Sequence, residues 1–461
     1  MLFRSNVSNG MFQPARTFLK SYTQFATLPQ LSPADVNQIL RENEYSHHFT
    51  TADVAGVRGY DTNFLAANAP IEDTRTEGTF VHKNAFICGV FDGHGGPACS
   101  QVISKRLLRY IAASVLDRKT LLNELNKGCN SQSFLRCLND KVEFVKEIRD
   151  IYEDSFQKYA HEISASKMDI SRALENAFFR LDRDLSVEAL TQQNARTFAV
   201  AMSGAVACVA FLENRNLYVA NTGDSGAVLG SLNSDGKWIA RRLSNEHNTD
   251  NITEISRVLK EHPKQERDTI FRQDRLLGQL LPTRAFGDFR YKWTAEVIQD
   301  FVVPHAGFGP SALPQYYLTP PYLTCQPEVT YHRLNPTDKF LILATDGLWE
   351  FLTPIQVVNI VGEHLANKKF LEPLRFAGQN MTLGEIAFQL AQRRANQRNR
   401  PLDQNSATHL IRVALGGTEY GIEHSKISHL LSLPKDVARM YRDDITITVI
   451  YFDSDKIGEL S

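Results

Sequence analysis

The chain has little cysteine and no pattern in the cysteine it has. Cys88, Cys99, Cys129, Cys137, Cys208 and Cys325 are the only six in 461 residues, and none forms a CxxC pair. That excludes a disulfide framework and a thiolate zinc site. Cys88 and Cys208 lie inside apolar runs and read as buried free thiols, which suits a reducing intracellular compartment. No uncharged apolar run reaches the roughly 18 residues that a membrane-spanning helix needs. Charge of one sign is missing too: the formal net charge is -1, so no global field recruits nucleic acid or an anionic membrane. No repeat at solenoid period occurs, nor any long low-complexity tract. What is left, 43% hydrophobic and 22% charged, is a globular composition that can bury a sizeable core.

A more local absence marks the start of the chain. Residues 1–30 carry Arg4, Arg16 and Lys20 with several Ser, Thr and Phe, and the first acid is Asp35. There is no continuous apolar core of the secretory kind. Basic, hydroxylated and acid-free, the segment predicts a mitochondrial transit peptide over 1–30 and a matrix location.

Strand-like runs fall at 85–91, 201–212, 217–221, 226–230, 339–344 and 445–452, with Asn214-Arg215-Asn216 as a hairpin turn. Helical patterns cover about 97–116, 140–163, 169–190, 250–262, 354–366, 382–396, 405–415 and 426–441. In 169–190, Ile170, Leu174, Ala177, Phe178, Leu181 and Leu185 recur at three- and four-residue spacing and face a core. Helices come in pairs between strands without a βαβ beat. The expectation is an α+β protein with layered antiparallel sheets covered by helices. Residues 118–140 read as a polar loop, and 293–322, rich in Pro, Gly and aromatics, as an irregular lid or sheet-edge cover.

The most informative run is Phe91-Asp92-Gly93-His94-Gly95-Gly96, which ends an apolar strand. Acids form strands poorly, so Asp92 is placed where the strand opens onto a cleft. Gly93 lets a backbone carbonyl approach whatever Asp92 holds, and Gly95-Gly96 let the chain turn away. The same setting recurs: Glu72-Asp73 after Pro70-Ile71, Asp224 after Ala220-Asn221-Thr222-Gly223, Asp346 after Phe340–Thr345, and Asp443-Asp444 opening the last strand. Strand ends can converge on one rim of a sheet sandwich. Converging carboxylates stay ionised together only with cations between them. With oxygen ligands and no His/Cys spacing, Mg²⁺ or Mn²⁺ is the natural occupant.

In this order, Glu72-Asp73, Asp92-Gly93-His94-Gly95, Gly223-Asp224-Ser225, Thr283-Arg284-Ala285-Phe286-Gly287-Asp288, Asp346-Gly347 and Arg442-Asp443-Asp444-Ile445-Thr446 resemble the metal-dependent serine/threonine protein phosphatases, the PPM or type 2C family. The resemblance spans about 60–453. Asn68-Ala69-Pro70-Ile71, Gln273-Asp274-Arg275-Leu276-Leu277-Gly278, Pro321-Tyr322-Leu323-Thr324 and Ala438-Arg439-Met440-Tyr441 are similar to the branch that acts on the mitochondrial pyruvate dehydrogenase complex. The resemblance implies a two-layer antiparallel β-sandwich flanked by helices (α-β-β-α), with a dinuclear metal cleft between the sheets. It implies one domain over 31–461 with insertions near 118–168, 293–322 and 366–404.

By the same resemblance, Asp92 bridges two Mg²⁺ or Mn²⁺ ions, the Gly93 carbonyl holds one, and Asp346 and Asp443 ligate the other. Glu72 and Asp73 orient coordinated waters, and Asp224 helps hold a third ion. His94 is the proton donor to the leaving serine oxygen, and Asn68 is a substrate-binding position. The implied partners are phosphorylated pyruvate dehydrogenase, the lipoyl-bearing dihydrolipoyl acetyltransferase core, with Ca²⁺ at that interface, and a regulatory subunit.

Three positions depart from the wider family. Asn68 stands where an arginine usually binds phosphate, although the pyruvate dehydrogenase branch also carries Asn there. Val206 stands where Thr is usual, and Gly226 where Arg is usual; the latter implies a looser loop around Asp224. Two alternatives therefore stay open: a phosphatase for another mitochondrial phosphoprotein, and a weakly active or pseudophosphatase binding protein.

Overall fold

The computed structural model describes residues 30–50, 54, 56–128, 130–139, 143–164, 168–305, 309–368, 382–395 and 401–459. The expected leader, but for residue 30, lies outside them, as do 369–381 and 396–400 of the expected 366–404 insertion.

The strands that build the sheets are β1 (Tyr45–His48), β2 (Val57–Leu65), β3 (Thr74–Phe80), β4 (Ala85–His94), β5 (Leu135–Leu138), β6 (Gly204–Glu213), β7 (Asn216–Thr222), β8 (Gly226–Leu232), β9 (Trp238–Arg242), β10 (Phe286–Gly287), β11 (Glu328–Arg333), β12 (Asp338–Ala344) and β13 (Ile445–Phe452). One sheet runs β1-β2-β13-β12-β8-β9 and the other β11-β7-β6-β4-β3-β5, with β10 also on β6. Every strand pairing within these two sheets is antiparallel. This is the expected α+β sandwich.

Alternation along the strands makes three apolar layers. Phe86, Cys88 and Val90 of β4 meet Leu341, Leu343 and Ile450 between the sheets. Ala85, Ile87 and Phe91 face the other way, onto helices α1 (Ala98–Ser114), α2 (Lys146–Ile163), α3 (Ile170–Gln192) and α4 (Ala195–Met202). On the far face of the first sheet, Ile342, Ile447 and Val449 pack on α5 (Pro354–Lys368) and α6 (Ser406–Gly416). Strands buried on both faces read as continuous apolar runs, which is why 85–91 and 445–452 were legible. Each large side chain fully buried here contributes about 1.5–3 kcal/mol. Cys88 and Cys208 are fully buried free thiols, as expected, and burial pushes both upward in pKa.

Several local expectations need correction. Residues 118–140 are not a loop: Arg118–Asn126 is a helix capped by Asp117, and β5 extends the second sheet. The 201–212 strand begins at Gly204, because Ala201 and Met202 end α4. The helix expected over 426–441 spans only His424–Leu431, and the backbone of Pro434 then anchors turns that lead to Arg442. The described residues of 293–322 do not stand off together as a lid. Trp293, Ile298, Phe301, Tyr317 and Tyr322 are buried in the helix-side core, and the Tyr322 hydroxyl donates to buried Glu266.

Toward one end of the sandwich, the space between the sheets changes chemistry. Along the inward face of β13, Ile450 gives way to Thr448, Thr446 and then Asp444. On β12, Leu341 and Leu343 lead to Thr345, and on β4, Phe86, Cys88 and Val90 lead to Asp92. The apolar core becomes hydroxyls and then carboxylates. That gradient is the cleft.

Candidate metal centre and active site

Asp92, Asp224 and Asp346 arrive from β4, from the β7–β8 turn and from the end of β12. Each offers a carboxylate oxygen within 4.8 Å of the others. Crowding and burial act together. Burial first, then the neighbouring carboxylates of Asp346, Asp73 and Asp224, push the Asp92 carboxyl far above its ordinary range. Burial, Asp224 and Asp443 push Asp346 up to about 8, and burial chiefly lifts Asp224 to about 6. Three facing acids at neutral pH cannot all ionise unless positive charge enters. An all-oxygen donor set of this kind fits Mg²⁺ or Mn²⁺.

The other expected ligands surround this trio. Asp443 adds to the field on Asp92 and Asp346 but lies outside the tight group; its Oδ1 accepts the Asp444 N–H at 2.8 Å. Asp73 is buried beside the cleft and accepts from Thr345 Oγ1 at 2.9 Å, while burial and Asp444 push its carboxyl up. Glu72 is occupied at both oxygens, by the Gly96 N–H (2.6 Å) and Arg439 Nη1 (2.7 Å). Gly93 is a glycine for a packing reason: a Cβ there would lie 2.4 Å from the Glu72 carbonyl oxygen. Gly95 (φ +69°) and Gly96 (φ +114°) make the turn that only glycine takes without strain.

Sequence reasoning missed what holds these groups. Asp444, twin of Asp443, is structural. Its carboxylate accepts the N–H groups of Ala67 (2.5 Å), Asn68 (2.8 Å) and Glu72 (2.9 Å) and fastens the 67–72 loop to the cleft. His94 Nε2 donates to Asp288 Oδ2 at 2.5 Å. Burial pulls the imidazole down, but the charge and hydrogen bond of Asp288 more than offset it, so the net shift is upward. Asp288 sits at φ +50°, anchored through its N–H to the Ser203 carbonyl. The Gly287 N–H donates to Asp182, which Lys292 neutralises. Gly204 leaves the room for this pair, since a Cβ there would collide with both His94 Nε2 and Asp288 Oδ2. The only sequence signal was that Asp288 closes a quoted motif.

The departures look different in three dimensions. A Cβ at Gly226 would lie 2.9 Å from Trp349 Nε1 and 3.5 Å from Arg242 Nη2, so a β9 arginine already fills that neighbourhood. The Asp224 loop is not loosened: the Gly223 N–H donates to His247 Nδ1 (3.1 Å) and the His247 N–H to the Gly223 carbonyl (3.0 Å). Val206 packs directly beneath Gly223. Asn68 spends its amide internally, donating to Asp444 Oδ2 (3.0 Å) and accepting from Arg439 Nη1 (2.7 Å).

Comparison with known proteins agrees with this geometry. The protein phosphatase 2C family model matches residues 117–400, a range that includes Asp224, Asp288 and Asp346. The chain is 46% identical to the bovine pyruvate dehydrogenase (acetyl-transferring) phosphatase 1, mitochondrial, covering 95% of this chain and 87% of that protein. It is 40% identical to the human phosphatase 2 of the same name, over 93% and 85% of the two chains. The corresponding yeast phosphatase 1 is 30% identical over 92% and 73%. The sheet sandwich, the carboxylate cleft at its end and the sequence match concur, and the chain belongs to the protein phosphatase 2C family.

Proposed function

We propose that this protein is a metal-dependent protein serine/threonine phosphatase of the mitochondrial matrix, removing phosphate from serine on pyruvate dehydrogenase and so activating that complex. The carboxylate trio of Asp92, Asp224 and Asp346, crowded within 4.8 Å, is the observation that carries the chemistry. The substrate assignment rests on relatives named for it across most of their length. Asp92, the Gly93 carbonyl, Asp346 and Asp443 would hold two ions, with Glu72 and Asp73 beside them and Asp224 toward a third. When bound, such cations acidify a water and offset phosphoryl charge.

The chain's own residues do the rest. Asp288 fixes the His94 ring through Nε2 and favours its protonated form, so His94 can give a proton to the serine oxygen as the P–O bond breaks. Asp444 holds the 67–72 loop, and with it Asn68, at the substrate side of the cleft. No covalent phosphoenzyme is required. Residues 1–30 serve as the mitochondrial leader and 31–461 as one catalytic domain with insertions near 118–168, 293–322 and 366–404. The lipoyl-bearing core and a regulatory subunit are the further partners that this reading implies.

The test is phosphate release by the purified protein from phosphorylated pyruvate dehydrogenase complex, with Mg²⁺ and then EDTA. Release that EDTA stops and that exceeds release from an unrelated phosphoprotein is expected. Equal release from both would discard the substrate, and no metal-dependent release would discard the enzyme.

A further inference from the structure

Two arginines flank the cleft on one short segment, and the fold uses them differently. Arg442 is buried, and its Nη2 donates to the Ala66 carbonyl at 2.6 Å. It is a staple. Arg439, one turn earlier, keeps 52% of its side chain exposed. A single nitrogen, Nη1, donates to Asn68 Oδ1 and Glu72 Oε2, both at 2.7 Å. Its Nε and Nη2 take no partner among the described residues. Its neighbours Met440 (77%) and Tyr441 (47%) are exposed, so the segment forms an open rim.

A half-exposed guanidinium gains little from a lone surface ion pair. Here both N–H groups of Nη1 are held by the loop that Asp444 fastens, which limits where the free edge can swing. The two residues that Arg439 grips, Asn68 and Glu72, both donate to the Asp444 carboxylate, so the rim borders the carboxylate cleft. A guanidinium with spare parallel N–H groups matches a phosphate dianion. The wider family's arginine is absent at Asn68, yet Asn68 is the residue that grips Arg439.

We propose that Arg439 is the phosphate-binding cation of this cleft, presented by Asn68 and Glu72, and that it takes the phosphomonoester dianion of the substrate and then the inorganic phosphate product. This rests on the phosphatase reading for the substrate but not for anion binding. The role of Asn68 at the substrate site is then exercised through the arginine it holds.

The experiment is calorimetric titration of inorganic phosphate into the Mn²⁺-loaded full-length protein, for the wild type, Arg439→Gln and Arg439→Lys. Mn²⁺ titration into each metal-free protein accompanies it. Gln keeps a donor for Asn68 and Glu72 while removing the charge. Arg439→Gln should weaken phosphate binding about 10- to 100-fold, the scale of lost charge-assisted hydrogen bonds, with Mn²⁺ affinity within about threefold. Arg439→Lys should fall between. Unchanged phosphate affinity in Arg439→Gln would overturn the proposal. So would a fall matched by an equal fall in Mn²⁺ affinity, which would make Arg439 a positioning residue for Glu72. Parallel assays of p-nitrophenyl phosphate separate the two readings. A wild type that binds phosphate through Arg439 but hydrolyses nothing keeps the anion site and loses the phosphatase.

Discussion

Asp403 and Asp92 are the same residue type in one protein, and the fold treats them in opposite ways. Asp403, against α6, receives both Nε and Nη2 of Arg412 at 2.7 Å. Burial alone would raise its carboxyl, but Arg412 and His409 hold it far below the usual range. Glu254 is treated alike: despite burial, Arg284 and Arg257 lower it to about 2. Glu188 meets Arg106 through two hydrogen bonds of 2.8 and 2.7 Å. In the cleft, the electrostatic neighbours of Asp92 and Asp346 are chiefly other carboxylates, and both are pushed up. Asp403, Glu254 and Glu188 are completed by the chain. Asp92 and Asp346 are left for something the chain does not supply, and stability is given up where the chemistry is done.

The sharpest way to break this contrast is to remove one acid from each set. Asp92→Asn should cost at least about 10²–10³-fold in turnover, the scale of losing one preorganised electrostatic group. The metal-free variant should melt no lower than wild type, because an amide, unlike the carboxyl it replaces, needs no bound proton to sit uncharged among these acids. A metal-free Asp92→Asn protein that unfolds markedly earlier would make Asp92 a structural acid and end the comparison. Asp403→Asn should do the reverse. Leaving Arg412 buried without its partner should cost about 3–5 kcal/mol in denaturant unfolding, with kcat of the folded fraction near wild type.

Divalent cations should separate the two regions next. Mg²⁺ or Mn²⁺ at 100 times its Kd should add about 2.7 kcal/mol to folding stability, read as a rise in Tm that EDTA reverses. Asp403→Asn should keep that rise and Asp92→Asn should lose most of it. A rise retained in Asp92→Asn would place the ion elsewhere.

The two sets should also respond to pH with opposite sign. Glu254 titrates near 2 when folded and near 4.5 when unfolded, so between those values the unfolded chain binds more protons. Its contribution is present above about pH 4.5 and is lost as pH falls toward 2. Asp346, without metal, titrates near 8 when folded and near 3.8 when unfolded. The folded chain then binds more protons, and stability drains as pH rises from about 4 through 8. In EDTA, Tm should therefore decline across pH 5–8, and Asp346→Asn should flatten that decline. A slope unaltered by Asp346→Asn would remove the cleft from its cause.

How much of this was readable from the sequence follows from where each residue gets its meaning. Asp92, Asp224 and Asp346 each end an apolar strand, so a local pattern marks them. β4 and β13 are buried on both faces and declare themselves as β-branched or aromatic runs. β3, Thr74-Arg75-Thr76-Glu77-Gly78-Thr79-Phe80, escaped notice because its burial depends on an internal pair, Arg75 Nη1 to Glu77 at 2.7–2.8 Å. Asp443 and Asp444 look identical in sequence, and only tertiary contacts show that the second fastens a loop. Asp288 acquires its role from a histidine 194 residues away. Arg439 was hidden inside a run read as helix, where a charged residue ordinarily means a solvated face.

The smallest expected effect concerns Gly226, where sequence and structure lead to opposite expectations. Read against its family, Gly226 is a loss, and arginine should restore activity. In the fold, the indole of Trp349 closes the space at 2.9 Å, and its Nε1 is committed to the Ala344 carbonyl at 3.0 Å. The ring cannot yield without breaking that bond beside Asp346. Arg242, paired with Glu246 at 2.5 Å, already places a guanidinium there. Gly226→Arg should therefore cost about 1–3 kcal/mol, the usual price of overpacking, and leave kcat unraised. Arg242→Ala alone should lower activity modestly, and the double variant should recover part of both losses. A gain in kcat from Gly226→Arg alone would show that the β9 arginine is no substitute, and that the cleft is weaker than its relatives' for want of one side chain.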